Sequence, residues 1–326
     1  MKICHYRSST LFSPHSRMGI LTDGGEIIDP ALVWSAEFEK RGHHNHLERG
    51  EHRNPSSLYN YLRISRNPIE ELQETLELYK KLAVDQQVHP LSFKGDLKLD
   101  SPLDKINCYR DFYAHEKHVA VGFKKRNEPI PEAWYQIPAY YKGATTGFIG
   151  NQDEVLWPSY TDILDYELEL GLVVGRDGYN LNQKEANKHI FGFTILNDIS
   201  ARDIQKKEMA VRLGPAKGKD FCSVLGPVIT TYDEFNFKEP NLKMTATING
   251  EKWSEGQSGE AQFSWAEMLE HVSKDEWLLA TDLLGSGTVG TGCGLELDKW
   301  IKPGDKIELE VEKIGTLSNT IGNKKK

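Results

Sequence analysis

Between Asp165 and Gly175 the chain reads DYELELGLVVG, in which Tyr166, Leu168, Leu170, Leu172 and Val174 alternate with Asp165, Glu167, Glu169, Gly171 and Val173. A period of two is that of a strand with one apolar face. Its other face opens on carboxylates, and taken alone the stretch reads as an exposed edge strand with a solvated acidic side. In PIEELQETLELYKKLAVDQQ the spacing changes: Ile69, Leu72, Leu76 and Tyr79 fall near a helical period, with glutamates early and lysines late, as the helix dipole prefers. KICHYR, MGILTDGGEIIDP and LSFKGDLKLDSP predict short strands and turns. RGHHNHLERGEH holds His43, His44, His46 and His52 but no apolar periodicity to fix their rings, so it reads as a solvated loop rather than a metal cluster.

Near Ser101-Pro102 the pattern shifts to strands with short helices, which divides the chain into a small domain over 1–100 and a larger one over 101–326. The apolar run Phe191 to Leu196 predicts a buried strand ending at Asn197-Asp198. Asn182 and Glu185 form a capping-box pattern, and Ser200 is placed to cap the helix begun by ARDIQKKEMA. Asn249-Gly250 between strand-like flanks signals a hairpin. SWAEMLEHVSK reads as a capped amphipathic helix, and GDKIELEVEKIGTLSNTIG as closing strands.

Charge narrows the choice of partner. The chain carries 40 basic against 48 acidic residues, a formal net charge of -8, and its basic runs are no longer than the KKR at 124–126 and the terminal KKK, so nucleic acid is not an expected partner. No apolar stretch approaches the roughly 20 residues that span a bilayer, and the N-terminus lacks the apolar middle of a signal peptide, which points away from membranes and to the cytoplasm. Cys4, Cys108, Cys222 and Cys293 lie far apart and read as buried thiols.

Glu167 and Glu169, two apart on a strand, leave the same face about 6.6 Å apart along the chain. If strand, helix and strand bring Asp198 beside them, three carboxylates converge and repel by a few kcal/mol per pair unless a cation sits among them. Oxygen-only ligation selects a hard ion, Mg²⁺ or Ca²⁺, over zinc. Asp198 as a plain helix cap is the other reading, and Asp165 reads as a surface charge. Asp111 and His118 are seven apart, which on one helix would separate them by about 10.5 Å along the axis, suited to a metal ligand on one side of a pocket and a base on the other. HEKH is not the zinc motif, its histidines being three apart, and a lone histidine here is more often structural. Gly285, Gly287 and Gly290 spell G-x-G-x-x-G, yet glycines and a proline follow where a dinucleotide fold needs a helix, so that site is rejected in favour of tight turns near a ligand. With no phosphate-binding loop, no G-x-S-x-G elbow and no nucleophile paired with a base, the chemistry expected is metal plus water.

Taken together, YELELGLVVG, NDISARDIQ, GKDFCSVLGP, GSGTVGTG and KPGDKIELEVEKIGTLSNTIG resemble the fumarylacetoacetate hydrolase superfamily over roughly residues 105 to 322. Phe112 stands where the shorter acylpyruvate-hydrolase and decarboxylase branch has its histidine, whereas Asp111, Tyr113, His118, IPAYYKGATT and GLEL resemble the fumarylacetoacetase branch. The C-terminal part is more compact than in that branch, so the pocket is expected to take a different diketo acid. The resemblance implies an α+β, β-rich fold: a mixed β-roll catalytic domain behind a small β-containing N-terminal domain, as a homodimer. It implies a metal, Mg²⁺ or Ca²⁺ with Mn²⁺ as a further candidate, held by Asp111, Glu167, Glu169 and Asp198. His118, oriented by Glu296, becomes the base that activates water; Lys219, Arg202 and Gln205 surround the developing negative charge. Tyr113, Tyr141 and Thr288 contact substrate, and Arg126, out of the cluster Lys124, Lys125 and Arg126, takes its carboxylate. The activity implied is hydrolysis of a carbon–carbon bond in a small 1,3-diketo acid. Acylpyruvate hydrolysis, 2-oxo acid decarboxylation and hydroxy-diene-dioate isomerisation share the scaffold. A non-catalytic metal-stabilised binding protein is the reading from another class, and Lys219, Arg202 and Gln205 speak against it.

Overall fold

The computed structural model describes residues 1–7, 16–84, 91–95 and 97–324; the last two lysines of the terminal run lie outside them. The alternating stretch forms the strand Leu168–Val174, buried along its whole length. It is central rather than an edge. Ile190–Asn197 pairs with it on one side, with Leu168 opposite Asn197 and Glu169 opposite Leu196. Leu283–Gly285 pairs on the other, with Gly171 opposite Gly285. A strand buried on both faces reads as a near-continuous apolar run, and the carboxylates that broke this pattern here are not solvated.

Outward from this centre the sheet continues through Ser223–Thr231 to Lys2–Arg7 and Arg17–Leu21 on one side, and through Tyr109–Phe112 to Tyr140–Gly143 on the other. Pairing is antiparallel except where Leu283–Gly285 meets Tyr109–Phe112 and where Phe148–Ile149 meets Ser223–Thr231. The strand order does not return on itself, so among the described residues the sheet is open, not a closed barrel. A second sheet runs Glu251–Gln257, Lys243–Ile248, Lys306–Val311, Gly315–Lys324, Glu154–Trp157. Leu168, Leu170, Leu172 and Val174 share one apolar cluster with Met244, Ala246, Leu309 and Leu317 of that sheet. Val173, Phe191, Leu196 and Ile229 share the other with Val33, Leu58, Tyr61 and Leu72 of the N-terminal helices. Each fully buried leucine of the central strand contributes about 1.5–3 kcal/mol of transfer free energy.

The first hundred residues hold more helix than their periodicity predicts. Pro68–Val84 is the expected helix, but Pro30–Lys40, His46–Arg53 and Leu58–Ile64 are helical as well. Pro30 opens the first of these and Asp29 caps it by accepting from the Leu32 amide at 3.0 Å. The histidine-rich segment is thus corrected from a loop to a helix in its second half. Gly50 lets that helix approach the first, since a Cβ there would come within 2.3 Å of the Ala31 carbonyl oxygen. His46 Nδ1 meets Ser35 Oγ at 3.0 Å, and no metal cluster forms among these histidines within the described residues.

In the rest of the chain, Asn249 and Gly250 take φ of 50° and 81° between the paired strands Lys243–Ile248 and Glu251–Gln257. Ser264 and Glu267 complete a capping box on the helix Trp265–Ser273. Ser200 does not cap: it lies in a short strand, its hydroxyl donates to the Asp198 carbonyl at 3.0 Å, and Ala201 occupies the N-cap of Arg202–Ala210. No described helix is long and apolar enough to cross a membrane.

Candidate active site and metal centre

The site forms where the central strands start and end. Glu167 and Glu169 leave the same face of the Leu168–Val174 stretch, and Asp198 follows the neighbouring strand Ile190–Asn197 directly. Asp111 comes from Tyr109–Phe112, opposite Gly285, itself opposite Gly171 of the central strand. One oxygen from each of Asp111, Glu167, Glu169 and Asp198 lies within 4.8 Å of all the others. All four residues are buried. Gly285 makes the space, because a Cβ there would sit 2.3 Å from Asp111 Oδ1 and 2.9 Å from Glu169 Oε2. Asp111 and His118 do not share a helix as the spacing allowed. Asp111 is on the strand and His118 is on the helix Glu116–Lys125.

Asp165, read as a surface charge, is corrected: its side chain is wholly buried. It accepts from Arg202 Nε at 2.8 Å and from the Gly294 and Leu295 amides at 2.7 and 2.9 Å. Asp165 lies on the same strand face as Glu167 and Glu169, a period-two signal that extends one step further than the four-carboxylate cluster. Arg202 also pairs with Glu167 at 2.8 Å and donates to Gln205 Oε1 at 3.0 Å. Lys219 Nζ donates to Glu167 and Asp198. Ser223, which the sequence reading missed, donates to Asp198 Oδ1 at 3.0 Å, Tyr141 to Asp198 Oδ2 at 2.7 Å and Thr288 to Glu169 Oε1 at 3.3 Å.

Five buried carboxylates therefore face two buried cations. Burial, and then the charge of Asp198, push the Asp111 carboxyl well above the usual range. Glu169 is raised likewise by burial and by Asp111. Glu167 goes the other way: burial opposes ionisation, but Lys219 and Arg202 hold it down to about 2. Asp111 Oδ1 and Glu169 Oε2 have no hydrogen-bond partner among the described residues. Unpartnered buried oxygens cost free energy unless something accepts their lone pairs. A hard divalent cation fits: the donors are all oxygen, they converge, and the excess charge is negative.

Beside this cluster lies a second one. His118 Nδ1 is hydrogen-bonded to Glu296 Oε1, and Glu296 Oε2 accepts from the Thr291 amide. Cys293 Sγ lies 3.8 Å from both His118 Nδ1 and Glu296 Oε1. A backbone bridge between Cys293 and Glu167 joins the two clusters. The edge of the Tyr113 ring packs on His118 at 5.5 Å between centroids, and burial pushes the Tyr113 hydroxyl up to about 12. Arg126 lies at the rim of this cluster, where its charge lowers the Tyr113 hydroxyl against the effect of burial. It is half exposed, stacked on Phe123 at 4.3 Å and paired with Glu128 at 3.3 Å. Gly285 to Gly290 form no dinucleotide site, since the loop leads to a single helical turn, Gly294–Leu297.

Comparison with known proteins bears on this arrangement. The oxaloacetate tautomerase YisK of Bacillus subtilis (strain 168) is 40% identical over 234 residues, 70% of this chain and 74% of that protein. The mitochondrial oxaloacetate tautomerase FAHD2A of Homo sapiens is 26% identical over 330 residues, 98% of this chain and 91% of that one. Fumarylacetoacetate hydrolase from Exiguobacterium antarcticum shares the fold, with a TM-score of 0.71 at 23% identity over 99% of both chains. The family described as "Fumarylacetoacetate (FAA) hydrolase C-terminal" matches residues 107–322, which contain both clusters, so the chain belongs to the fumarylacetoacetate hydrolase family, whose members are enzymes.

Proposed function

We propose that this chain is a divalent-metal-dependent enzyme that transfers a proton at the carbon beside the ketone of a small 2-oxo acid, interconverting the enol and keto forms of an oxaloacetate-like dicarboxylate. The observation that carries the reading is the joining of two clusters by one backbone bridge: four convergent carboxylates next to a histidine held by a glutamate. Proton transfer needs only these two elements. The tautomerase relative at 40% identity supports it.

Asp111, Glu167, Glu169 and Asp198 would hold a hard cation, whose Lewis acidity would acidify the C–H beside the ketone of the 2-oxo acid. His118 exchanges the proton between the enol oxygen and that carbon, and Glu296 holds the ring and offsets the charge of its imidazolium. Lys219 and Arg202 keep Glu167 ionised and place positive potential at the enolate oxygen, with Gln205 orienting Arg202. Tyr141 and Thr288 fix Asp198 and Glu169 and are placed to contact substrate, Tyr113 walls His118, and Arg126, at the end of the helix that carries His118, exchanges Glu128 for the distal carboxylate.

A second reading is carbon–carbon hydrolysis of a 1,3-diketo acid, the activity expected from the sequence. The His118–Glu296 pair favours it, because the same base can deprotonate water for attack on the second carbonyl, with the enolate leaving and then taking a proton.

One assay separates these. Metal-stripped protein is restored with Mg²⁺ or Mn²⁺ and offered enol oxaloacetate, fumarylacetoacetate and acylpyruvates in parallel. Faster decay of enol absorbance with total oxaloacetate unchanged, abolished by chelator, is the expected result. His118→Ala should lose this activity and keep its metal, whereas Glu169→Ala should lose both. Loss of diketo absorbance with release of two acids would move the function to the second reading. Activity on none of these substrates would sink both.

A further inference from the structure

We infer that Cys293, His118 and Glu296 form a second, softer metal site, which takes Zn²⁺ or another thiophilic divalent ion and thereby switches off the His118 base. Nothing in the proposed reaction uses the Cys293 thiol, yet it points at the dyad, 3.8 Å from the nitrogen of one partner and 3.8 Å from the oxygen of the other. The three donor atoms, one sulfur, one imidazole nitrogen and one carboxylate oxygen, all lie within 4.8 Å of one another.

Zinc bonds of about 2.3 Å to sulfur and about 2.0–2.1 Å to nitrogen or oxygen place tetrahedral donors roughly 3.5 Å apart. The sulfur edges of this triangle already match. Only the His118–Glu296 edge must open, as it does when a metal replaces the proton between them.

The backbone holds the donors in place. Cys293 and Glu296 are three apart at the start of the single turn Gly294–Leu297, and Cys293 is bridged to Glu167. The second oxygen of Glu296 is held by the Thr291 amide, leaving the first for a metal, in the manner of outer partners that orient ligands. Cys293 and the side chains of His118 and Glu296 are almost wholly buried, which keeps competing water away.

Ligand softness separates the neighbouring sites. The oxygen cluster selects Mg²⁺, Ca²⁺ or Mn²⁺, while sulfur with imidazole selects Zn²⁺, Co²⁺ or Cd²⁺. On binding, the metal–sulfur bond forms and the thiol proton is released to solvent, while the metal takes the Nδ1 lone pair and the Nδ1 proton moves to Nε2. With Nδ1 on the metal and Nε2 protonated, the neutral ring has no lone pair left to take a proton from substrate. Three protein ligands leave a fourth position open, the pattern of an exchangeable ion.

The test uses full-length protein in excess Mg²⁺, which fills the oxygen cluster, titrated with Co²⁺ as an optical probe. A thiolate-to-cobalt charge-transfer band should grow to one ion per chain. It should vanish in Cys293→Ser and Cys293→Ala and persist in Cys108→Ser, the most exposed rival thiol. His118→Ala should weaken cobalt binding at least tenfold, which keeps the test decisive if the Cys293 variants fail to fold. No band in the wild type, or one lost with Cys108 and kept without Cys293, overturns the inference. The inhibitory half rests on the proposed catalytic role of His118. Zn²⁺ should inhibit turnover in excess Mg²⁺, and Cys293→Ser should tolerate at least tenfold more Zn²⁺ relative to its own activity. A cobalt band without inhibition would refute the switch and the base role of His118 while leaving the site in place.

Discussion

Gly285 carries the shape of the four-carboxylate cluster by having no side chain. A methyl group at that position would occupy the space of Asp111 Oδ1 and crowd Glu169 Oε2, and both belong to buried side chains on the two strands that flank the strand of Gly285, with little room to move. Gly285→Ala is therefore expected to keep its far-ultraviolet circular dichroism while Mn²⁺ affinity, measured by calorimetry, falls at least tenfold. Unchanged affinity would mean that these two oxygens do not converge on the ion. Asp165 yields the complementary prediction. It accepts from Arg202 and from the two amides that open the turn bearing Glu296, so it ties the cation of one cluster to the carboxylate of the other. Removing one member of a buried pair leaves the partner uncompensated at a cost of about 3 kcal/mol. Glu167 still faces Arg202, so Asp165→Asn should lose somewhat less than this in urea denaturation and should also lower turnover. A variant as stable and active as wild type would show that the link is idle. Cys293 was legible only as a buried thiol and Asp165 was misread as a surface charge for one reason: each has a plausible bland role alone, and each meets a partner more than thirty positions away.

At the scale of elements, period-two alternation was enough to find the central strand and the Glu167–Glu169 pair, because alternation is a local property. It could not say what lay beyond the acidic face. Whether a strand is central depends on Ile190–Asn197 and Leu283–Gly285, and pairing across such distances leaves no mark on the strand itself. Capping signals were mostly readable, at Asn182 and Ser264, and failed at Ser200, where pairing with Leu164–Asp165 keeps the backbone extended one residue longer. The helices Pro30–Lys40 and Leu58–Ile64 were hidden because they are short and bury residues that also suit strands. His115, at the N-cap of the helix that carries His118, shows how an element end tunes stability. It makes no capping bond, neither ring nitrogen has a partner among the described residues, and burial, followed by the charges of His118 and Lys117, lowers it to about 3. Because its folded pKa lies below the unfolded value near 6.5, the unfolded chain binds the proton first. The stability it permits is complete above about pH 6.5 and is lost as pH falls toward 3, by up to about 1.4 kcal/mol per unit. His115→Leu should flatten the fall in urea midpoint between pH 7.5 and 4.5 relative to wild type. Identical slopes would show that His115 is protonated in the folded state or solvated.

Across the whole molecule the sheet joins the N-terminal part of the chain to its middle: Lys2–Arg7 pairs with Ser223–Thr231, and the N-terminal helices share their core with Val173 and Leu196. The four-carboxylate cluster lies on and beside strands of this same sheet, so its charge is coupled to global stability. In the metal-free protein Asp111, Asp165, Glu167, Glu169 and Asp198 face Lys219 and Arg202 as their close cations among the described residues, and folding must bring those carboxylates together against their repulsion. The unfolded chain offers no converging oxygens, so a cation binds the folded state alone and stabilises it by about 2.7 kcal/mol at a hundredfold excess over its dissociation constant. The unfolding entropy of a chain this long makes that a rise of about 4 °C in Tm. Mg²⁺ or Mn²⁺ should therefore raise the Tm of chelator-treated protein in a concentration-dependent way, and Ca²⁺ should compete for the same shift. Glu169→Gln should begin with a higher metal-free Tm than wild type, since one source of repulsion is gone, and gain little from metal. Both signs come from the same electrostatics, so a variant that starts less stable yet responds to metal like wild type would contradict the placement of the ion among these four carboxylates.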